Sequence, residues 1–164
     1  MGLALRGFAA AALLALAMGT AQAMDSSSTS FEPTSSELYK RAQKAIDAQR
    51  YREAIEDLQK VVKDKPKNAD AHNLLGYSNR KLGEYDLAVR YYMRALELDA
   101  KHRGANEYLG EAYLELNKLP EAEERLTKLN EICGMDCKEY KALAAAVEQY
   151  KAGKRPPQSS RASW

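Results

Sequence analysis

Charge of one sign is the first thing this chain lacks. Its 25 basic and 23 acidic residues leave a formal net charge of +2, and that near-balance argues against a dedicated nucleic-acid binder, which would carry a strong basic excess. Histidine is nearly absent: His72 and His102 are the only two, and neither lies close in sequence to the two cysteines, Cys133 and Cys137. A metal centre built on that pair would be short of ligands. No nucleophile elbow, phosphate loop or zinc-protease motif occurs, and the serines gather toward the two ends, so no catalytic constellation or cofactor site is expected. Phenylalanine is scarce (2) while tyrosine is plentiful (10); tyrosine, with its hydroxyl, suits half-exposed helix surfaces better than deep cores. There is also no apolar run long enough to cross a bilayer. The longest, Phe8 to Met18, has 11 residues, against the ~20 that a spanning helix needs.

That short run belongs to a different pattern. Arg6 precedes it and Ala21-Gln22-Ala23 follows it, which is the order of a secretory signal peptide cut before Met24. Residues 1–23 are therefore expected to be removed, leaving no membrane span and placing the mature chain in an oxidising compartment, the periplasm or, alternatively, the medium. Residues 24–34 are Ser/Thr-rich without periodicity and read as a flexible leader. Thr34 and Glu37 then form a capping-box signature that starts the first helix.

From here the chain repeats itself at an interval of 34 residues. Ala54, Ala88 and Ala122 keep that spacing, as do Ala42, Gly76 and Gly110; Leu58, Tyr92 and Leu126; and Tyr51, Tyr85 and Leu119. Small residues recurring at two fixed registers are where paired helices approach closely. The spacing predicts helices over about 35–48, 51–64, 69–82, 85–98, 103–116 and 119–132, with Gly83 ending one of them in the left-handed conformation. A seventh helix over 137–151 carries an apolar stripe of Leu143, Val147 and Tyr150; it is expected to cap the open end of the stack, starting from a second capping box at Asp136 and Glu139. Residues 152–164 are basic and Pro/Ser-rich and read as a disordered tail.

With Leu75-Gly76, Leu82-Gly83, Ala88, Tyr92 and Ala95 in place, the segment 72–100 resembles the tetratricopeptide repeat family. The resemblance spans repeats at about 35–68, 69–102 and 103–136. It implies an all-α, right-handed superhelical solenoid of three helix pairs plus the capping helix. It also implies a concave face lined by the first helix of each pair. Carried onto this sequence, that face offers Tyr39 and Gln43 from the first repeat, Asn73, Tyr77, Arg80 and Lys81 from the second, and Glu107, Glu111, Leu114 and Glu115 from the third. The lysine/asparagine/arginine clamp by which one subgroup holds a C-terminal carboxylate is missing, since the matching positions hold Tyr39, Gln43, Leu74, Gly104 and Tyr108. The family's small exported bacterial members are the nearest analogy. They imply a non-enzymatic, protein- or peptide-binding scaffold of the cell envelope, needing no cofactor.

Cys133 and Cys137 leave an alternative open. In an exported chain a lone pair so close together reads as a disulfide, its small loop contributing about 2 kcal/mol and fixing the angle of the last helix. The other reading is a thiol-redox or metal-handling pair. A third possibility is a self-associating structural assembly factor. His72, where the repeat pattern has a large aromatic, is expected to be a packing residue, and His102 to sit solvated in a loop.

Overall fold

The computed structural model describes residues 32–154. The expected signal peptide (1–23), residues 24–31 of the leader and the tail beyond Lys154 lie outside the described residues. Seven helices follow one another: α1 (Ser35–Asp47), α2 (Tyr51–Asp64), α3 (Ala69–Lys81), α4 (Tyr85–Leu98), α5 (Arg103–Glu115), α6 (Leu119–Cys133) and α7 (Lys138–Lys151). Each end lies within one residue of its sequence expectation, and among the described residues there is no strand. The fold is an all-α helical repeat. No helix among the described residues is long and apolar enough to cross a membrane.

The caps obey the same interval as the core. Thr34, Asn68 and His102, each 34 residues after the last, precede α1, α3 and α5, and each side chain accepts a hydrogen bond from the backbone N–H three residues on. Thr34 forms the full box, its own N–H donating to Glu37 at 2.8 Å. At His102 it is Nδ1 that accepts from Ala105, at 3.1 Å, while Nε2 lies 3.0 Å from Asp70 on α3. His102 is thus a helix cap tied to the preceding repeat, not the solvated loop residue expected.

The cap before α7 departs from the expectation as well. Cys137, not Asp136, is the N-cap, and it makes no side-chain cap bond. Asp136 projects into solvent and pairs with Lys141 at 3.1 Å. Glu139, the intended partner in the box, stands 34 residues after Ala105 and 68 after Ala71, both fully buried. It is turned inward at 5 % exposure, and no capping box forms at the start of α7.

Left-handed residues close the first helix of each pair at the same register. Gly83 has φ 82°, and Gln49 and Asn117 take φ 58° and 61° at the equivalent places. Only the glycine is free of steric cost there.

The core is a row of small layers. The first joins Leu38, Ala42, Leu58, Val61 and Leu75; the second Ala88, Tyr92, Leu109 and Ala112; the third Leu114, Ala122, Leu129, Leu143 and Val147. Ala54, Ala88 and Ala122 are completely buried, as close helix approach requires. The two glycines make room for side chains rather than for backbone. A Cβ on Gly76 would come within 2.5 Å of the Tyr92 ring, and one on Gly110 within 2.5 Å of Leu143. Leu143 belongs to α7, so Gly110 is shaped for the last helix. Leu75, Leu109 and Leu143 are themselves 34 apart, as are Gly76, Gly110 and Ala144. Helix α7 therefore continues the repeat as the first helix of a fourth unit, with no second helix among the described residues.

Candidate functional site

The first helices of the three pairs carry every groove residue expected from the sequence, and they divide into two regions. Toward the amino end, Lys40, Gln43, Lys44, Ile46 and Asp47 of α1 with Leu74 of α3 line an open cleft of about 480 Å³. Gln43 is exposed and Tyr39 half-buried against the core. Burial and the nearby Asp70 raise the Tyr39 pKa, so the phenol stays neutral.

Toward the middle, aromatic rings gather. Tyr77 meets Tyr51 edge-on with centroids 6.3 Å apart and Tyr108 at 5.1 Å, and Tyr108 in turn lies 6.1 Å from Tyr92. The Lys81 ammonium sits 5.2 Å from the Tyr77 centroid, within cation–π range. Asn73 is 7 % exposed, and its Oδ1 accepts no hydrogen bond among the described residues. Buried amide oxygens are nearly always satisfied; Asn73 lacks a donor here, as do the buried Glu115 Oε2 and Glu139 Oε2.

Arg80, expected as an exposed basic contact, is 8 % exposed and spans two repeats: it pairs with Glu111 at 2.6 Å and with Glu115 at 3.0 Å. Burial opposes its charge, but Glu111, the Tyr92 hydroxyl and Glu115 more than offset that, and its pKa is raised. The guanidinium also lies 5.9 Å and 5.8 Å from the Tyr77 and Tyr108 ring centroids. Arg80 is a strut between α3 and α5, and its partners in the glutamate row are committed to it. Burial raises the pKa of Glu115, with Arg80 opposing. Leu114, placed on the groove by the family pattern, is 1 % exposed and packs with α7 in the third core layer.

Glu107 is different. It makes no ion pair among the described residues. Burial, then the like charges of Glu111 and Glu139, push it up to about 7, with Lys138 and Arg80 pulling the other way. Sequence reasoning missed Glu139 as a member of this row because it lies on another helix. Its signal was there: a glutamate at the register held by Ala71 and Ala105.

Cys133 and Cys137 are joined by a disulfide, Cα atoms 5.9 Å apart. A carboxylate oxygen of Glu139 and the two sulfurs lie within 4.8 Å of one another, but sulfurs bonded to each other offer no thiolate to a metal or a substrate. His72 packs as expected, 8 % exposed, with its ring 6.3 Å from Tyr91.

Known proteins share this architecture. Two family profiles described as tetratricopeptide repeat match the chain, over residues 39–101 and 79–147. No curated protein matches the sequence. Among solved structures, the first repeat domain of Spaghetti (RPAP3), bound to the HSP90 peptide SRMEEVD, is 21 % identical with a TM-score of 0.65, covering 72 % of this chain and 93 % of its own. The Yersinia enterocolitica type III secretion chaperone SycD, in complex with a peptide of the translocator YopD, is 24 % identical at TM-score 0.63, covering 73 % and 90 %. MamA is 24 % identical at TM-score 0.64, covering 74 % of this chain and 70 % of its own. At these identities the likeness is one of fold.

Proposed function

This chain belongs to the tetratricopeptide repeat family, and from that premise we propose that it is a non-catalytic scaffold that holds a partner polypeptide along α1, α3 and α5. The observation that carries the reading is Asn73: a buried amide whose oxygen lacks a donor, on the same face as the Tyr77–Tyr108 pair and the cleft beside Gln43. An extended peptide supplies backbone N–H donors for such an acceptor and apolar side chains for the rings. Two of the similar structures hold peptides, which supports the reading by analogy of fold.

The setting proposed is the cell envelope, in the periplasm. Two features support it: the export signal read in residues 1–23, and a disulfide of the kind that persists in oxidising compartments. Fractionation with intact-mass measurement tests this part. A chain beginning at Met24 with no alkylatable thiol is the expected product; a cytoplasmic chain with two free thiols would refute it.

The groove is tested by capture from the envelope fraction. Tyr77→Ala is expected to weaken partner capture about tenfold or more, as truncation of a central aromatic contact does, while the circular-dichroism spectrum is kept. Arg94→Glu, on exposed α4 surface, is the control. Loss of the partner with Arg94→Glu and its retention with Tyr77→Ala would move binding to the outer face.

A further inference from the structure

At the α5–α7 edge of the groove four carboxylates, Glu107, Glu111, Glu115 and Glu139, share their cations unevenly. Arg80 is shared by Glu111 and Glu115, which leaves Glu107, one turn earlier on α5, without an ion pair. Glu139 of α7 is 5 % exposed and its Oε2 accepts no hydrogen bond. The cations nearest Glu139 are Arg103 and Lys138, each at 3.8 Å on side chains that are 53 % and 88 % exposed. From α3, Asn73 lies against Gly104, one turn before Glu107, with its Oδ1 also lacking a donor. Glu139 and Asn73, from two different helices, are thus both more than nine-tenths buried with an oxygen unsatisfied; Glu139 acts on the unpaired Glu107 as a like charge, and the Asn73 amide nitrogen faces Gly104, one turn before Glu107. A buried acceptor left without a donor is costly.

We propose that this corner is a receptor for a cationic side chain, a lysine or arginine of the partner polypeptide, whose charge lies against Glu107 and Glu139 and whose N–H groups supply the donors that Glu139 and Asn73 lack. The proposal rests on the groove reading above and adds the partner's charge and the end of the groove where that charge docks. It reverses the polarity of a carboxylate clamp: the protein brings the acid and the ligand brings the base.

The chemistry makes the site sensitive to pH. Glu107 is faced by Glu111 on its own helix, by Glu139 and Lys138 on α7 and by Arg80 on α3; together with burial they hold it at about 7. Below that value the carboxyl is protonated and offers no charge. Above it, an arriving cation meets a carboxylate that has no ion pair of its own among the described residues, with Lys138 and Arg80 acting on it only from a distance.

The test uses the whole protein and an acetylated, amidated hexa-arginine peptide, followed by amide chemical shifts. The largest shifts are expected at residues 104–111 and 139. Binding should be at least about fivefold tighter at pH 8 than at pH 5.5, and Glu107→Gln should weaken it about tenfold at pH 8 and flatten the pH dependence, in the range of a lost charge-assisted hydrogen bond. Glu139→Gln is expected to weaken it too, and exposed Glu97→Gln to leave it unchanged. Equal binding by parent, Glu107→Gln and Glu139→Gln would overturn the proposal, as would shifts confined to α2, α4 and α6 or equal binding of a hexa-glutamate peptide. The groove reading is scored separately: a partner lost with Tyr77→Ala but retained by Glu107→Gln leaves the groove standing and removes the cation receptor.

Discussion

His72 and Asn106, one repeat apart, do the same work with different chemistry. Each reaches back to the carbonyl six residues earlier: His72 Nε2 to Pro66 at 3.0 Å and Asn106 Nδ2 to Ala100 at 3.4 Å. Pro66 and Ala100 are themselves 34 apart, in the turn that leads from one pair to the next. A register that the family fills with a large aromatic is used here to tie down a loop carbonyl from inside the core.

Asn106 is the more demanding of the two. It is fully buried, donates also to His102 O at 3.1 Å and accepts from Arg125 at 3.4 Å. Asn106→Ala is expected to cost about 2–3 kcal/mol, because it strands those partners. Urea unfolding of parent and variant measures it; a loss under 0.5 kcal/mol, on the order of a surface change, would show that the network is dispensable.

Gln49 offers a gain. It holds φ 58° with a full side chain where Gly83 holds φ 82° with none. A left-handed non-glycine residue costs roughly 1–2 kcal/mol, and part of that gain is returned as the greater chain entropy of glycine in the unfolded state. Gln49→Gly should therefore stabilise by about 0.5–1 kcal/mol and raise the melting temperature by a few degrees. A lower melting temperature would contradict the strain argument.

Gly110→Ala should loosen the last helix. The added methyl would meet Leu143, which is completely buried and has nowhere to retreat. Overpacking of this kind costs about 1–3 kcal/mol, and amide exchange should rise first in α7. Uniform exchange across all seven helices would mean that α7 is not the element displaced.

Glu107 makes stability depend on pH. Its folded value of about 7 stands above the ordinary 4.5, so between those values the folded chain keeps a proton that the unfolded chain has released. Stability is therefore greatest below about 4.5 as far as this group is concerned, falls as pH rises through the window, and levels off above 7. Glu107→Gln should match the parent at pH 4 and exceed it at pH 8 by about 1 kcal/mol, allowing for the solvent around a half-buried carboxyl. Thermal melts across that range decide it. A variant less stable than the parent at pH 8 would show that Glu107 is already compensated.

The fold was legible because its determinants are local and recur. Ala54, Ala88 and Ala122 mark close helix approach, and Gly83 marks a helix end, whatever surrounds them. The site was legible only by position. The 34-residue register placed Asn73, Tyr77, Arg80 and Glu107 on the first helices of their pairs, where the structure has them. It could not show that Arg80 would be buried between Glu111 and Glu115, since those partners lie 31 and 35 residues away and their pairing depends on how two helices pack. Asp136 misled for the related reason that a capping signature is local, whereas Glu139 was claimed by the α5–α7 interface.

Helix α7, the first member of a pair without its second, gives the described array an odd number of helices. The consequence is one of parity. Each earlier junction seats a new pair on a complete pair, α3 and α4 on α1 and α2, α5 and α6 on α3 and α4. At the far end a newcomer would find a single helix already lying across α5 and α6. Among the described residues the two ends of the array therefore differ in kind: a complete pair at one, a lone first helix at the other.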